Sequence, residues 1–130
     1  MTSVPALAFL IAIPLAGCED RGSSYLASVG LVQPKSEIGD VEAGKRAIGT
    51  YGCGACHEIP GITGARGLVG PSLDRMGRRI YIAGLLRNTP ENMVTWLLDP
   101  QKIVPGNAMP VVGLTEEQAR NVTAYLYTLK

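Results

Sequence analysis

The segment Cys53-Gly-Ala-Cys56-His57 constrains this chain more than any other feature, because it joins two of the three cysteines to the only histidine. Thiols at this spacing, with an imidazole directly after the second, suit only a few chemistries. A thioredoxin-like redox site places such a pair after a strand inside a βαβ pattern. A structural zinc site needs four ligands. A structural disulfide is possible in an exported protein, but it would not need His57.

The sequence around the motif favours another chemistry, covalent attachment of haem. A helical pattern precedes the motif and a glycine-rich loop, Gly54 to Gly70, follows it, so the strand of a thioredoxin site is missing. No second histidine is present to complete a zinc site. The CxxCH pattern is itself the signature of c-type haem attachment. We therefore predict one haem c per chain, bound through Cys53 and Cys56, with His57 as an axial iron ligand.

The composition is typical of a folded chain with much irregular backbone. Hydrophobic residues make up 46% and charged residues 18%, which excludes a disordered protein. Aromatic residues make up only 5%, and a planar cofactor would account for part of so ring-poor a core. A net charge of +1, without any DNA- or RNA-reading motif, argues against a nucleic-acid-binding protein. At 130 residues the chain holds one domain at most.

The first 39 residues predict export and a membrane tether. Residues 1–17 are uncharged, and their apolar run is shorter than the ~20 residues of a spanning helix, which is typical of a signal peptide. Leu15-Ala16-Gly17-Cys18 resembles a bacterial lipobox, so we expect a lipid on Cys18 and a flexible tether over residues 18–39. No Lys or Arg precedes the apolar run, which leaves an uncleaved anchor, or a buried N-terminal helix or strand, as alternatives. The expected location is the periplasmic side of the inner membrane.

Three helices are predicted in a domain covering residues 40–130. One apolar face runs from Val41 to Tyr51. Thr89-Pro90-Glu91 has the features of a helix start, and that helix should end before Pro100. Thr115 to Gln118 forms a capping box that begins the last helix.

The rest of the domain is predicted to be loops. A short helical turn is expected around residues 72–76, and a proline-constrained loop over residues 105–110. No segment has a convincing strand pattern, and no internal repeat is visible. The prediction is therefore a small all-α domain with long loops.

Residues 40–130 resemble a class I monohaem c-type cytochrome, on the CxxCH motif together with two later segments. Gly70-Pro71-Ser72-Leu73 matches the family's Gly-Pro-x-Leu segment, and Gly106 to Pro110, around Met109, matches its ligand loop. The resemblance implies the small cytochrome c fold, with three to five helices packed around one covalently bound haem. It also implies that the Pro71 carbonyl accepts the His57 N–H, which would orient the ring and raise its basicity.

The same resemblance implies that Met109 is the second axial ligand. Met93 has the helical spacing of a core residue, and Met76 lies between arginines soon after the attachment motif. Ligation by His and Met raises the reduction potential and leaves no open iron position. Tyr81 and Trp96 match the family's donors to a haem propionate, with packing in the core as the alternative.

The resulting prediction is an electron-transfer protein and not an enzyme. The only histidine is used as a ligand, and no other catalytic constellation is present. The chain resembles the tethered cytochromes and fused cytochrome domains that pass electrons between respiratory membrane complexes, in particular to haem-copper terminal oxidases. The alternatives are a haem-ligand sensor or peroxidase-like enzyme with an exchangeable sixth ligand, and a fixed relay subunit of a dehydrogenase.

Overall fold

The computed structural model describes residues 38–130, so the predicted signal peptide, Cys18 and nearly all of the predicted tether lie outside the described residues. Four α-helices, two short 3₁₀ turns and one hairpin make up this part. The helices are α1 (Val41–Thr50), α2 (Pro90–Leu98), α3 (Pro100–Ile103) and α4 (Glu116–Thr128); the 3₁₀ turns are Cys53–Ala55 and Met76–Arg78; the strands are β1 (Tyr81–Ile82) and β2 (Leu86–Arg87).

The three predicted helices begin at the residues whose side chains cap them. Asp40 accepts the Ala43 N–H at 2.8 Å, and Thr89 caps α2 in the same way. At α4 the capping box is complete, because Thr115 and Gln118 each accept the other's backbone N–H. These caps satisfy N–H groups that a helix start leaves without an intrahelical partner. The helix predictions are therefore confirmed.

Two local predictions were incomplete or wrong. Pro100 ends α2, as expected, but it also begins α3, where the Asp99 carboxylate accepts the Lys102 N–H at 2.9 Å. The helical turn expected over residues 72–76 instead occupies Met76–Arg78.

The prediction of no strand was also wrong in detail, because β1 and β2 pair antiparallel. The turn that joins them has positive φ at two consecutive residues, Ala83 (51°) and Gly84 (73°). Tight hairpin turns require this left-handed backbone, and an Asn-Gly or Gly-Gly pair in the sequence usually indicates it. Here an alanine takes the first position, so the usual signal is missing.

The core lies where α1 and α4 cross, and α2 also packs against α4. A Cβ on Gly44 would overlap the backbone of Asn121, so only glycine permits this approach of the two helices. The Asp40 N–H donates to the Asn121 side chain at 2.8 Å and ties the start of α1 to α4. Within residues 38–130 no helix is both long enough and apolar enough to cross a bilayer.

Candidate haem site

One large cavity opens between the helices and the long loops of the described domain. Its volume is about 410 Å³, within the range of pockets that bind small molecules and cofactors. Apolar side chains of three helices line its interior, among them Ile48 of α1, Leu97 of α2 and Leu126 of α4. The residues predicted from the sequence to bind the cofactor all line this cavity: Cys53, Cys56, His57, Pro71, Tyr81, Trp96 and Met109.

The attachment motif winds through one 3₁₀ turn, which brings its side chains to the cavity wall. Gly52 precedes the turn with φ of 67°, a backbone conformation that favours glycine. The His57 N–H then donates to the Cys53 carbonyl at 3.0 Å. Cys53, Cys56 and His57 therefore face the same space from a single short segment.

The His57 ring has a fixed orientation and a defined free nitrogen. Its Nδ1 lies 2.8 Å from the Pro71 carbonyl oxygen. Because a carbonyl can only accept, Nδ1 carries the hydrogen and Nε2 keeps the lone pair that a metal would need. The bond to Pro71 also makes the imidazole a more basic ligand.

The glycine-rich loop closes onto the motif by direct backbone contact. A Cβ on Gly70 would lie 2.6 Å from His57 Nδ1 and 2.8 Å from Nε2, closer than real Cβ atoms come to other atoms. A Cβ on Gly67 would lie 2.5 Å from the Cys56 carbonyl carbon. The Gly70 N–H donates to the Cys56 carbonyl at 2.7 Å. The glycines of the loop therefore allow its backbone to pack directly against the attachment motif.

The loop that carries Met109 forms another part of the cavity wall. The Met109 N–H donates to Asn107 Oδ1 at 2.8 Å, and the Met109 carbonyl accepts from Gln101 Nε2 at 2.7 Å. Sequence reasoning missed Gln101, because nothing in the local pattern of α3 distinguishes it from a surface residue. Met76 and Met93 also line the cavity, and both are almost fully buried. The choice of Met109 as the iron ligand stays a prediction.

Tyr81, Trp96 and Arg79 lie along the cavity wall formed by the hairpin and α2. Arg79 donates to the carbonyls of Ser72 and Asp74 and so holds the loop after Pro71. Tyr81 is half exposed, and the Arg87 guanidinium lies 5.6 Å from its ring centroid. The roles of Tyr81 and Trp96 as propionate donors stay predictions.

The donor set fits a covalently attached haem. Burial raises the pKa of the Cys53 thiol above its ordinary value, and the neighbouring Cys56 adds to this. Two thiols, one oriented imidazole and a thioether around an apolar cavity are the groups that such a haem uses. Within residues 38–130 no group of three or more His, Cys, Asp or Glu side chains could hold a metal ion directly, so the zinc alternative has no ligand set there.

The family model for cytochrome c matches residues 41–130. The chain belongs to the cytochrome c family. This match covers the cavity, the attachment motif and the Met109 loop together, and it confirms the predicted fold class. As a class I c-type cytochrome the chain binds haem c and its iron covalently, which confirms the predicted cofactor.

Several relatives of this cytochrome are longer proteins, which it matches over part of their length. It is 38% identical over 88 residues to cytochrome c oxidase subunit 2 of Alkalihalophilus pseudofirmus and 39% identical to the same subunit of a Bacillus species. It is 36% identical over 111 residues to the c-type cytochrome cyt cy of Rhodobacter capsulatus. The matches cover 65–75% of this chain. They span about a quarter of each oxidase subunit and about half of cyt cy.

Proposed function

We propose that this cytochrome is a one-electron carrier on the periplasmic side of a bacterial inner membrane. The observation that carries the proposal is the convergence of the attachment motif, the oriented His57 and the Met109 loop on one apolar cavity. Haem c, when bound, supplies a ferric–ferrous couple that gains and loses one electron. Such a role needs no proton transfer and no nucleophile from the protein.

The residues of the cavity have separate tasks in this proposal. Cys53 and Cys56 would hold the cofactor by thioether bonds, and His57, oriented by Pro71, would supply a nitrogen ligand to its iron. Met109 would supply a sulfur ligand and so keep small molecules from binding the iron. The apolar lining keeps water out, which limits solvent reorganisation when the charge at the site changes.

The redox partners in this proposal are respiratory membrane complexes, with a haem-copper terminal oxidase as acceptor. Support comes from the matches to two cytochrome c oxidase subunits 2 and to cyt cy. A lipid on Cys18 and a tether over residues 18–39 would keep the domain near such a partner and raise its effective concentration. This arrangement would favour repeated short-range encounters over free diffusion.

Ligation by Met109 is tested by substitution in the full-length holoprotein. The ferric wild type should show the weak sulfur-to-iron absorption band at the red end of the visible spectrum. Met109→Ala should abolish the band, lower the reduction potential and let CO bind the reduced protein. The controls Met76→Leu and Met93→Leu should leave all three unchanged. A wild type that lacks the band and binds CO rapidly would contradict the carrier and favour the sensor or peroxidase-like alternative.

The anchor and the partner are tested in membranes. Mass spectrometry should find a lipidated N-terminal Cys18, and Cys18→Ser should block lipid attachment and normal processing at that site while haem remains attached. The wild type should purify from mild detergent with oxidase activity. An unmodified mature N-terminus elsewhere in the chain would contradict the anchor. Purification with a dehydrogenase instead would favour the fixed relay subunit.

A further inference from the structure

The loop that carries Met109 is held by side-chain amides instead of regular backbone pairing. Gln101 of α3 donates from Nε2 to the Asn107 carbonyl at 2.9 Å and to the Met109 carbonyl at 2.7 Å. Its Oε1 accepts the Gly106 N–H at 3.0 Å. Both amide hydrogens and the carbonyl of Gln101 are therefore used on this loop.

Asn107 holds the same loop from within. Its Nδ2 donates to the carbonyls of Pro100 at 2.9 Å and Val104 at 2.7 Å, and its Oδ1 accepts the Met109 N–H at 2.8 Å. Both backbone polar groups of Met109 are thus bound by side chains, one to Asn107 and one to Gln101. The Met109 side chain remains free to line the cavity.

Helix α3 gives these bonds a firm base. Asp99 caps its first turn, and Pro100, its first residue, is almost fully buried. Gln101 follows Pro100 directly, so its amide projects from a fixed backbone onto the loop. Movement of the Met109 backbone away from the cavity therefore has to break its hydrogen bond to that amide.

We propose that Gln101 is a positioning residue that sets how firmly the Met109 loop is held against the cavity, and so how well Met109 would serve as an iron ligand, which would set the reduction potential and the exclusion of external ligands. The inference rests on the proposed role of Met109 as ligand. Gln101 acts through the backbone of the loop, and the two donated bonds are the part of its contact that matters. Its partners are carbonyl oxygens, which no acidic side chain could satisfy at neutral pH.

The size of the expected effect follows from the bonds that are lost. Removing two hydrogen bonds from a half-buried site raises the population of the open loop by about tenfold or more. If CO binds only when the loop is open, its association rate with the reduced protein rises by the same factor. The sulfur-to-iron band of the ferric protein should weaken, and the reduction potential should fall towards that of Met109→Ala.

The test compares two variants of the holoprotein. Gln101→Leu removes all three hydrogen bonds of the side-chain amide and keeps nearly the same side-chain size. Gln101→Glu keeps an acceptor for the Gly106 N–H and loses both donors. Both variants should bind CO about tenfold faster than wild type and show a weaker band. Hydrogen exchange at the Gly106 amide should be faster than in wild type in both variants, and faster in Gln101→Leu than in Gln101→Glu, because only Gln101→Leu also loses the acceptor for that N–H.

Asn121→Ala is the matched control for lost stability, since Asn121 bonds the start of α1 and does not line the cavity. It should lower the melting temperature and leave the band, the potential and the CO rate unchanged. The proposal is overturned if both Gln101 variants keep wild-type spectra and CO rates, or if Asn121→Ala shifts them equally. In those outcomes Met109→Ala still abolishes the band, so the proposed function stands; if Met109→Ala keeps the band, the assignment of Met109 as ligand fails and this inference fails with it.

Discussion

The cavity has two differently built walls: the histidine side, residues 52–71, and the methionine side, residues 101–110. On the histidine side backbone meets backbone, as in the bonds from Gly67 N to Gly54 O at 3.0 Å and from Gly70 N to Cys56 O at 2.7 Å. On the methionine side the amides of Gln101 and Asn107 make most of the contacts. The histidine side depends on glycines, which let two backbone segments approach each other. The methionine side depends on the side chains of Gln101 and Asn107. We therefore expect the histidine side to decide whether haem is attached and the methionine side to adjust its properties.

The largest effect should come from the thiols of the histidine side. Cys53→Ala and Cys56→Ala each remove one attachment point, and without the cofactor the apolar cavity between the helices is left unfilled, which destabilises the fold. We expect little covalent holoprotein from either variant, measured by haem staining of a denaturing gel. Cys18→Ser is the control and should stain like wild type. Full staining of both single variants would contradict covalent attachment at this motif.

A single methyl group at Gly70 should have the next largest effect. Gly70→Ala places a Cβ against the His57 ring, so the ring or the loop has to move, at a cost of about 1–3 kcal/mol. We expect a lower holoprotein yield and a melting temperature lower by several degrees. Gly49→Ala is the matched control, because Gly49 lies in α1 and a Cβ at this position would meet no atom within 4 Å. It should stabilise the protein by about 0.5–1 kcal/mol.

A similar loss of stability, without loss of attached haem, is expected from Asn107→Ala. It removes three hydrogen bonds of the methionine side, so the free energy of unfolding should fall by about 1–3 kcal/mol in denaturant titrations. Haem attachment should remain complete, since the histidine side is untouched. Asn107→Asp keeps the acceptor for the Met109 N–H and should retain more of the sulfur-to-iron band than Asn107→Ala. A loss of covalent haem in either variant would erase the distinction between the two walls.

The smallest effect concerns the segment that follows the histidine side. The Tyr127 hydroxyl donates to Asn88 at 2.7 Å, and Asn88 in turn donates to the carbonyls of Met76 and Arg79. Burial raises the pKa of Tyr127, and the charge of Glu91 adds to this. Tyr127 keeps its proton to a higher pH in the folded state than in the unfolded state. Its contribution to the free energy of unfolding is therefore fully present below pH ~10 and is lost as the pH rises through the pKa of the folded state.

Tyr127→Phe should therefore lower stability by about 1 kcal/mol at neutral pH and flatten its decline above pH ~10. Thermal unfolding between pH 8 and pH ~11 measures both effects. Some decline should remain in the variant, because burial also raises the pKa of Tyr125. An unchanged slope would show that Tyr127 does not contribute to the alkaline loss of stability.

The sequence predicted those elements whose signals are local. Asp40, Thr89 and Thr115 cap helices that begin where expected, since a cap and its target N–H lie within one turn. The cavity residues were predictable from the CxxCH motif and the family's later segments. The hairpin was not, because Ala83 adopts positive φ without the glycine that normally signals it.

The positioning of Met109 could not be predicted for a related reason. The partners of Gln101 are mostly backbone carbonyls, which every residue possesses, so no residue type marks them. The contact also depends on the exact direction in which α3 leaves Asp99. That direction is a property of the packed structure and not of any short segment.

The crossing of α1 and α4 at Gly44 also affects the order of events during biosynthesis. The two helices in contact stand at opposite ends of the described domain, so α1 cannot pack against α4 until residues 116–128 have been synthesised. Contacts between such distant segments form late in folding, after the intervening chain has been made. The CxxCH motif, directly after α1, therefore remains in open chain during that interval. An accessible motif at that stage would let haem be joined to the thiols before the two helices pack together beside the cavity.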